Sequence, residues 1–413
     1  MAGFIINNKT FFTNAVLRIN TIKRQMFTTL TSLTRRTRAT TQAANHLRRA
    51  FSTSGAVNAD DKHAPWEESK VLVTGCQGQI GVPLVNALVE ELGADRVIAT
   101  DASEQRFEFP CEYEKLDVTD EKGYHSLVKK TNTNYIVHLA GILSALGEKN
   151  PDLAIDVNVF GVVNALRAAK DMNCRIFVPS TIGVFGGDHF NKVDTPEDSI
   201  LQPKTIYGVG KVFNELIGDY HANKFGIDFR SIRYPGVISS QKYAFNGTTD
   251  YSTEIFFKML ETGHYTCWLR EDAALPMIYI DDCIEATVKF LKADKKRLTR
   301  TCYNLAGISF TPGDFCREVQ KIIPGSTLDF EPDFRQAIAD SWPKSLSEPS
   351  TKADWDWSYN ITTEALAKKI LDGIDDEYKI HLTDVSSSEM SSSDGEQDEQ
   401  HQPIFLRRKA YAQ

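Results

Sequence analysis

No aspartate or glutamate stands before Asp60, although nine lysines and arginines do. That one-signed segment is therefore set aside from the reading of the fold. The seven cysteines include no C-x-x-C pair, which argues against a zinc site or a disulfide framework and for reduced thiols in a reducing compartment, and no metal is expected. No apolar run approaches the roughly 18 residues that a membrane span requires, so a soluble chain with no membrane partner is expected. The usual dinucleotide pattern G-x-G-x-x-G is absent as well. In its place stands a wider spacing of three glycines.

The leader, rich in Thr, Ser and Ala, has the composition of a mitochondrial transit peptide, and Arg49-Ala50-Phe51-Ser52 resembles a matrix-processing site. A basic nucleic-acid-binding arm is the competing reading, and it leaves that site unexplained. Residues 1–51 are thus expected to be removed in the mitochondrial matrix, with 52–69 as a linker. The whole chain carries −8 and the leader +9, so the remainder carries −17. Such an acidic chain is not expected to bind nucleic acid.

The chain as a whole has ordinary globular composition, with 41% hydrophobic and 25% charged residues. The stretch Lys70-Val71-Leu72-Val73-Thr74-Gly75-Cys76-Gln77-Gly78-Gln79-Ile80-Gly81 reads as a buried strand, a tight turn and the start of a helix. Glycine at 75 and 78 would let a phosphate approach the backbone and meet the N–H groups of the helix's first turn. An ordinary βα turn is the alternative on this stretch alone. The strand Arg96-Val97-Ile98-Ala99-Thr100-Asp101 then ends in an acid at about the 20-residue distance expected of a ribose ligand. Asp101 would accept from ribose hydroxyls and repel a 2′-phosphate, which predicts NAD and not NADP.

Further strands end at Asp117-Val118, at Leu139-Ala140-Gly141 and at the hydroxyl pair Ser180-Thr181. Asp117 is suited to the adenine amine and Asp120 to a helix cap. Residues 153–169 read as a long helix buried on both sides, with Asn158 a polar residue that must find partners. Alternating strands and helices predict an α/β fold, a Rossmann-type doubly wound parallel sheet with ligands at the strands' carboxyl ends.

Tyr207 and Lys211 share one helical face, so an ammonium can favour a phenolate that acts as general base. Tyr220 and Lys224 match the same spacing, roughly 20 Å along the helix. The first pair comes after the hydroxyl loop, and Lys224-Phe225-Gly226 marks the helix end, so Tyr207 is the expected base.

Together with Arg233-Tyr234-Pro235-Gly236, these motifs resemble the extended short-chain dehydrogenase/reductase superfamily over residues 70–372, with an NAD-binding core mainly in 70–240 and a smaller C-terminal substrate lobe mainly in 241–372. Four stretches, around residues 179–186, 233–239, 247–251 and 275–282, are similar to the short-chain type of L-threonine 3-dehydrogenases. The resemblance implies that Gly75, Cys76, Gln77, Gly78, Gln79, Ile80 and Gly81 hold the pyrophosphate, Asp101 the ribose, Asp117 and Val118 the adenine, and Val237 the nicotinamide end. Leu139, Ala140, Gly141 and Asn158 complete the expected cofactor set. Tyr207 would be the base, Lys211 its partner and a ribose ligand, and Thr181, with Ser180 beside it, would bond the reacting hydroxyl. Ser144, Thr248 and Asp250 would face the substrate, with Asp250 on its ammonium.

The activity implied is NAD-dependent oxidation of L-threonine to 2-amino-3-oxobutanoate, coupled in function to a glycine C-acetyltransferase. A sugar-nucleotide epimerase or dehydratase and a non-enzymatic NAD-binding subunit are the alternatives. The helices 153–169 and 205–225 could pair across the two-fold axis of a homodimer. The acidic, Ser-rich tail, 373–413, is expected to be disordered.

Overall fold

The computed structural model describes residues 63–379 except 188, 243–246 and 377. The expected leader, and the tail from 380 onward, lie outside these residues. Strand β1 (Val71–Thr74) is buried at every position, because Val71 and Val73 enter one core cluster and Leu72 the other. A parallel strand covered on both faces demands that composition. It leads through the glycine turn to α1 (Gly81–Leu92), β2 (Val97–Asp101) and β3 (Glu112–Lys115). Helix α2 (Glu121–Lys130) comes next, capped by Asp120, which accepts from the Gly123 N–H at 3.1 Å.

After β4 (Tyr135–His138) come α3 (Ser144–Lys149), α4 (Pro151–Ile155), a π turn at Asp156–Phe160 and α5 (Gly161–Met172). The expected single helix is thus interrupted at Asn158. Next are β5 (Arg175–Phe177), β6 (Ser180–Thr181), the long α6 (Ile206–Phe225), β7 (Phe229–Tyr234) and β8 (Gly236–Ile238). The rest comprises α7 (Tyr251–Thr262), β9 (His264–Cys267), β10 (Leu275–Tyr279), α8 (Ile280–Lys292), β11 (Cys302–Asn304), β12 (Ile308–Phe310), α9 (Pro312–Ile322) and β13 (Thr327–Phe330). Three helices close the described chain: α10 (Arg335–Asp340), α11 (Pro349–Trp355) and α12 (Thr363–Gly373).

The main sheet runs β11-β7-β5-β4-β1-β2-β3, with β6 beside β7, and its pairs are parallel. Strand order reverses between β1 and β4, which opens a crevice at their carboxyl ends. This is the doubly wound α/β fold expected.

Two boundaries need correction. Residues 63–69 are packed on the core: Trp66 is buried, stands edge-on to Tyr135 at 6.1 Å, and the Ala64 carbonyl accepts from Arg175 at 2.6 Å. At the other end Tyr378 packs against Phe257 at 5.2 Å, so the folded unit extends past 372. An apolar ring at each place was the signal in the sequence.

Candidate active site

The three glycines of the first turn serve different ends. Gly75 has φ +67°, and a Cβ there would stand 2.7 Å from the Ala140 nitrogen. A Cβ at Gly81 would stand 2.4 Å from the Gly75 carbonyl oxygen, whereas at Gly78 the nearest atom is 3.4 Å away. Gly75 and Gly81 are therefore required by close packing of the turn, and Gly78 is the one that leaves the backbone open to a phosphate at the positive end of α1. Ile80 precedes that helix and lines the cleft. Cys76 is fully buried, and burial pushes its thiol up to about 12.

Gln77 does not turn its side chain to the pyrophosphate position. Its Nε2 donates to Ser103 Oγ at 2.8 Å and to the Glu104 carbonyl at 3.0 Å, which ties down the loop behind β2. Asp101 ends β2 as expected, and its two oxygens accept from the Gln77 N–H at 3.3 Å and the Ser103 N–H at 3.2 Å. Gln79 reaches across the crevice and donates to the Val237 carbonyl at 3.0 Å.

Asp117 is exposed and accepts from the Thr119 N–H at 2.9 Å, while Val118 sits in the second core cluster. Leu139 and Gly141 line the cleft, and Ala140 lies against Gly75. Asn158 is buried, accepting from the Ile142 N–H at 2.7 Å and donating to the Ile142 carbonyl at 2.9 Å. Its amide thus holds the loop after β4 by both ends.

The chemistry gathers at the start of α6. Thr205 caps this helix by accepting from the Gly208 N–H at 3.1 Å, and a Cβ at Gly208 would stand 2.2 Å from the Gly183 carbonyl oxygen. That close approach brings Tyr207 against the loop after β6. Burial raises the Tyr207 phenol, and the Thr181 hydroxyl beside it pulls it down. Lys211 is buried, donates to the Pro179 carbonyl at 2.8 Å and stands 5.7 Å from the Tyr207 ring centre. Burial pushes its ammonium down to about 8, opposed by Glu215. For the phenol, burial is the largest influence.

Ser180 requires a correction. Its hydroxyl donates to Glu215, which Arg233 grips with two bonds at 2.9 and 2.7 Å. Glu215 and Arg233 are both buried, so the Ser180 hydroxyl anchors β6 to an ion pair beneath the site, while Thr181 lines the cavity. Glu215 lies one helical turn beyond Lys211, a spacing visible in the sequence but not singled out.

A cavity of about 160 Å³ joins these groups to the substrate lobe. Ser144, Thr181, Tyr207, Thr248 and Asp250 all line it, and so do Ser180, Lys211 and Val237. Thr248 Oγ1 is buried without a hydrogen-bond partner among the described residues. Asp250 accepts from the Gly247 N–H at 2.7 Å, so part of its carboxylate braces its own loop. Lys211 is the only cation among the described residues lining the cavity. Leu143, Thr249 and Trp342 also form its walls and were missed; Trp342 comes from the lobe, where no spacing linked it to the site.

A doubly wound sheet with a glycine turn on one side of its crevice and a Tyr-Lys helix on the other defines a dinucleotide-binding oxidoreductase of the short-chain type. Residues 71–306 match the NAD dependent epimerase/dehydratase family. An uncharacterized epimerase/dehydratase of Staphylococcus aureus is 42% identical over 74% of this chain and 97% of its own length. The crystal structure of an L-threonine dehydrogenase from Phytophthora infestans is 42% identical, covers 73% of this chain and 98% of that one, and has a TM-score of 0.71. An L-threonine 3-dehydrogenase from Trypanosoma brucei is 37% identical, with 76% and 97% covered and a TM-score of 0.71. The chain belongs to the NAD dependent epimerase/dehydratase family.

Proposed function

We propose that this protein is an NAD-dependent L-threonine 3-dehydrogenase. The observation that carries the reading is the convergence of Thr181, Tyr207 and Lys211 on a small cavity that Thr248 and Asp250 also line. The likeness to threonine dehydrogenases over nearly their whole length supports it. A sugar-nucleotide substrate would bring a second diphosphate, and the cavity's described lining offers no cation beyond Lys211 to meet it.

The residues present fit a dinucleotide: Gly78 leaves the turn open, Asp101 stands at the end of β2, and Lys211 and Val237 lie at the far end of the crevice. When bound, NAD supplies the hydride acceptor for C3 of the substrate. Thr181 orients the substrate's β-hydroxyl toward Tyr207. As phenolate, Tyr207 takes the hydroxyl proton. Thr248 and Asp250 hold the amino-acid end, the hydroxyl suited to the carboxylate and the carboxylate to the ammonium. The product is 2-amino-3-oxobutanoate, a β-keto acid for an acetyltransferase to consume.

Incubating the purified protein with NAD and a panel of amino acids and nucleotide sugars, while following NADH absorbance, tests the reading. Activity on a nucleotide sugar and none on threonine would overturn it. For Asp101, replacement by Ala should raise the NAD Michaelis constant and narrow the preference over NADP; an unchanged ratio removes Asp101 from the cofactor site. We also propose that the enzyme works in the mitochondrial matrix, with its mature N-terminus at or just after Ser52. Recovery of the intact chain from the cytosol would contradict it.

A further inference from the structure

We propose that Trp268 is a positioning residue for the substrate pocket, holding the Thr248 peptide so that the Thr248 hydroxyl faces the bound amino acid. This rests on the reading of the cavity as an amino-acid site. The indole Nε1 donates to the Thr248 carbonyl at 3.2 Å, from a residue 20 positions further along the chain. Both residues are buried.

The indole is itself locked. Arg335 stacks on it with its guanidinium carbon 3.5 Å from the ring centre, and Arg335 is forked onto Asp333 at 3.0 and 2.6 Å. Asp333 closes the circle, because its N–H donates to the Trp268 carbonyl at 3.1 Å. Three residues of the substrate lobe thus fix one N–H that points at the pocket loop. The Thr248 hydroxyl is buried with no hydrogen-bond partner among the described residues, so a substrate group that reaches it would satisfy a group otherwise left unpaired. Glycine precedes Thr248, at Gly247, and supplies no stiffness of its own.

Binding at the substrate end remote from the reacting carbon acts on the Michaelis constant for that substrate, whereas loss of the base acts on kcat. Trp268→Phe keeps an aromatic ring under Arg335 and removes the N–H together with the rest of the five-membered ring. It should raise KM for threonine by about 3–10-fold, the range of one net hydrogen bond, and leave KM for NAD and kcat within about twofold. Thr248→Val should raise the same constant, Thr248→Ser should restore it, and Trp268→Phe added to Thr248→Val should change little more.

Hydrogen exchange over the segment 247–253 gives a readout that needs no turnover: protection should fall in Trp268→Phe and hold in Thr248→Val. Unchanged protection, or losses in KM that simply add, would overturn the proposal. If the wild-type protein leaves threonine untouched, the threonine reading fails, and the exchange measurement still decides whether Trp268 fixes the loop.

Discussion

Helix α6 carries the same pair twice, and only one copy stands where chemistry is possible. Tyr207 lies in the first turn, pressed to the loop after β6, with Lys211 buried and bonded to Pro179. Tyr220 is 52% exposed, its ring against His221 and Phe225 at 5.8 and 6.0 Å, and Lys224 is exposed. Spacing gives both pairs a shared face; the carboxyl edge of the sheet gives one of them a partner, a pocket and a dry environment. A second contrast runs around the same helix. Gly208, Lys211, Glu215 and Gly218 face the sheet, and a Cβ at Gly218 would stand 2.1 Å from the Phe229 ring. Val209, Phe213, Leu216 and Tyr220 form a stripe with 36–65% exposure on the other side.

The sharpest way to break the first contrast is to remove each phenol in turn. Tyr207→Phe should lower kcat by about 10²–10⁴ while NADH binding, followed by fluorescence, survives; Tyr220→Phe should stay within about twofold on both measures. Lys211→Met should lose turnover and cofactor affinity together. A dead Tyr220→Phe beside an active Tyr207→Phe would reverse the assignment.

The pH profile sharpens it further. Burial keeps the Tyr207 phenol above its ordinary range, so the base form gains as pH rises and kcat should climb. The Thr181 bond pulls the phenol down, so Thr181→Val should move that rising limb to higher pH. Lys211 sits at about 8 and Glu215 pulls it up; Glu215→Gln should therefore bring the loss of the ammonium, and of cofactor affinity, to lower pH. Because breaking a buried pair costs about 3–5 kcal/mol, a melting curve accompanies that variant. A limb that moves the other way in Thr181→Val would show that the bond favours the neutral phenol.

The smallest effect belongs to the exposed face. Leu153 and Phe160, on segments that pack against α6, are exposed as well, and we propose that the two helices meet those of a second copy. Leu216→Glu should shift the mass seen by light scattering from dimer to monomer, with kcat changed far less than by Tyr207→Phe. A wild-type monomer at micromolar concentration would remove the homodimer from the account.

Much of this was legible along the chain because it is periodic or local. The apolar run Val71-Leu72-Val73, the glycines after it and the acid at the end of β2 define a Rossmann crevice by strand length, turn and distance alone. Asp120 as a cap was readable from neighbours three residues away. The roles of Gly75, Gln77 and Asn158 were not, because each is decided by a contact across the fold: Ala140 beside Gly75, the 103–106 loop around Gln77, Ile142 on Asn158. Ser180 resembles a second catalytic hydroxyl in sequence, and becomes an anchor only when Arg233 holds Glu215 beneath it.

Hydrophobic period and short-range geometry were enough to define the layers, the crevice and the kind of chemistry, since each is written in residues close together along the chain. Which tyrosine is buried, which hydroxyl is spent on an anchor and which is left without a partner was settled by the packed fold. Burial and hydrogen-bond satisfaction are properties of residues brought together from distant parts of the chain.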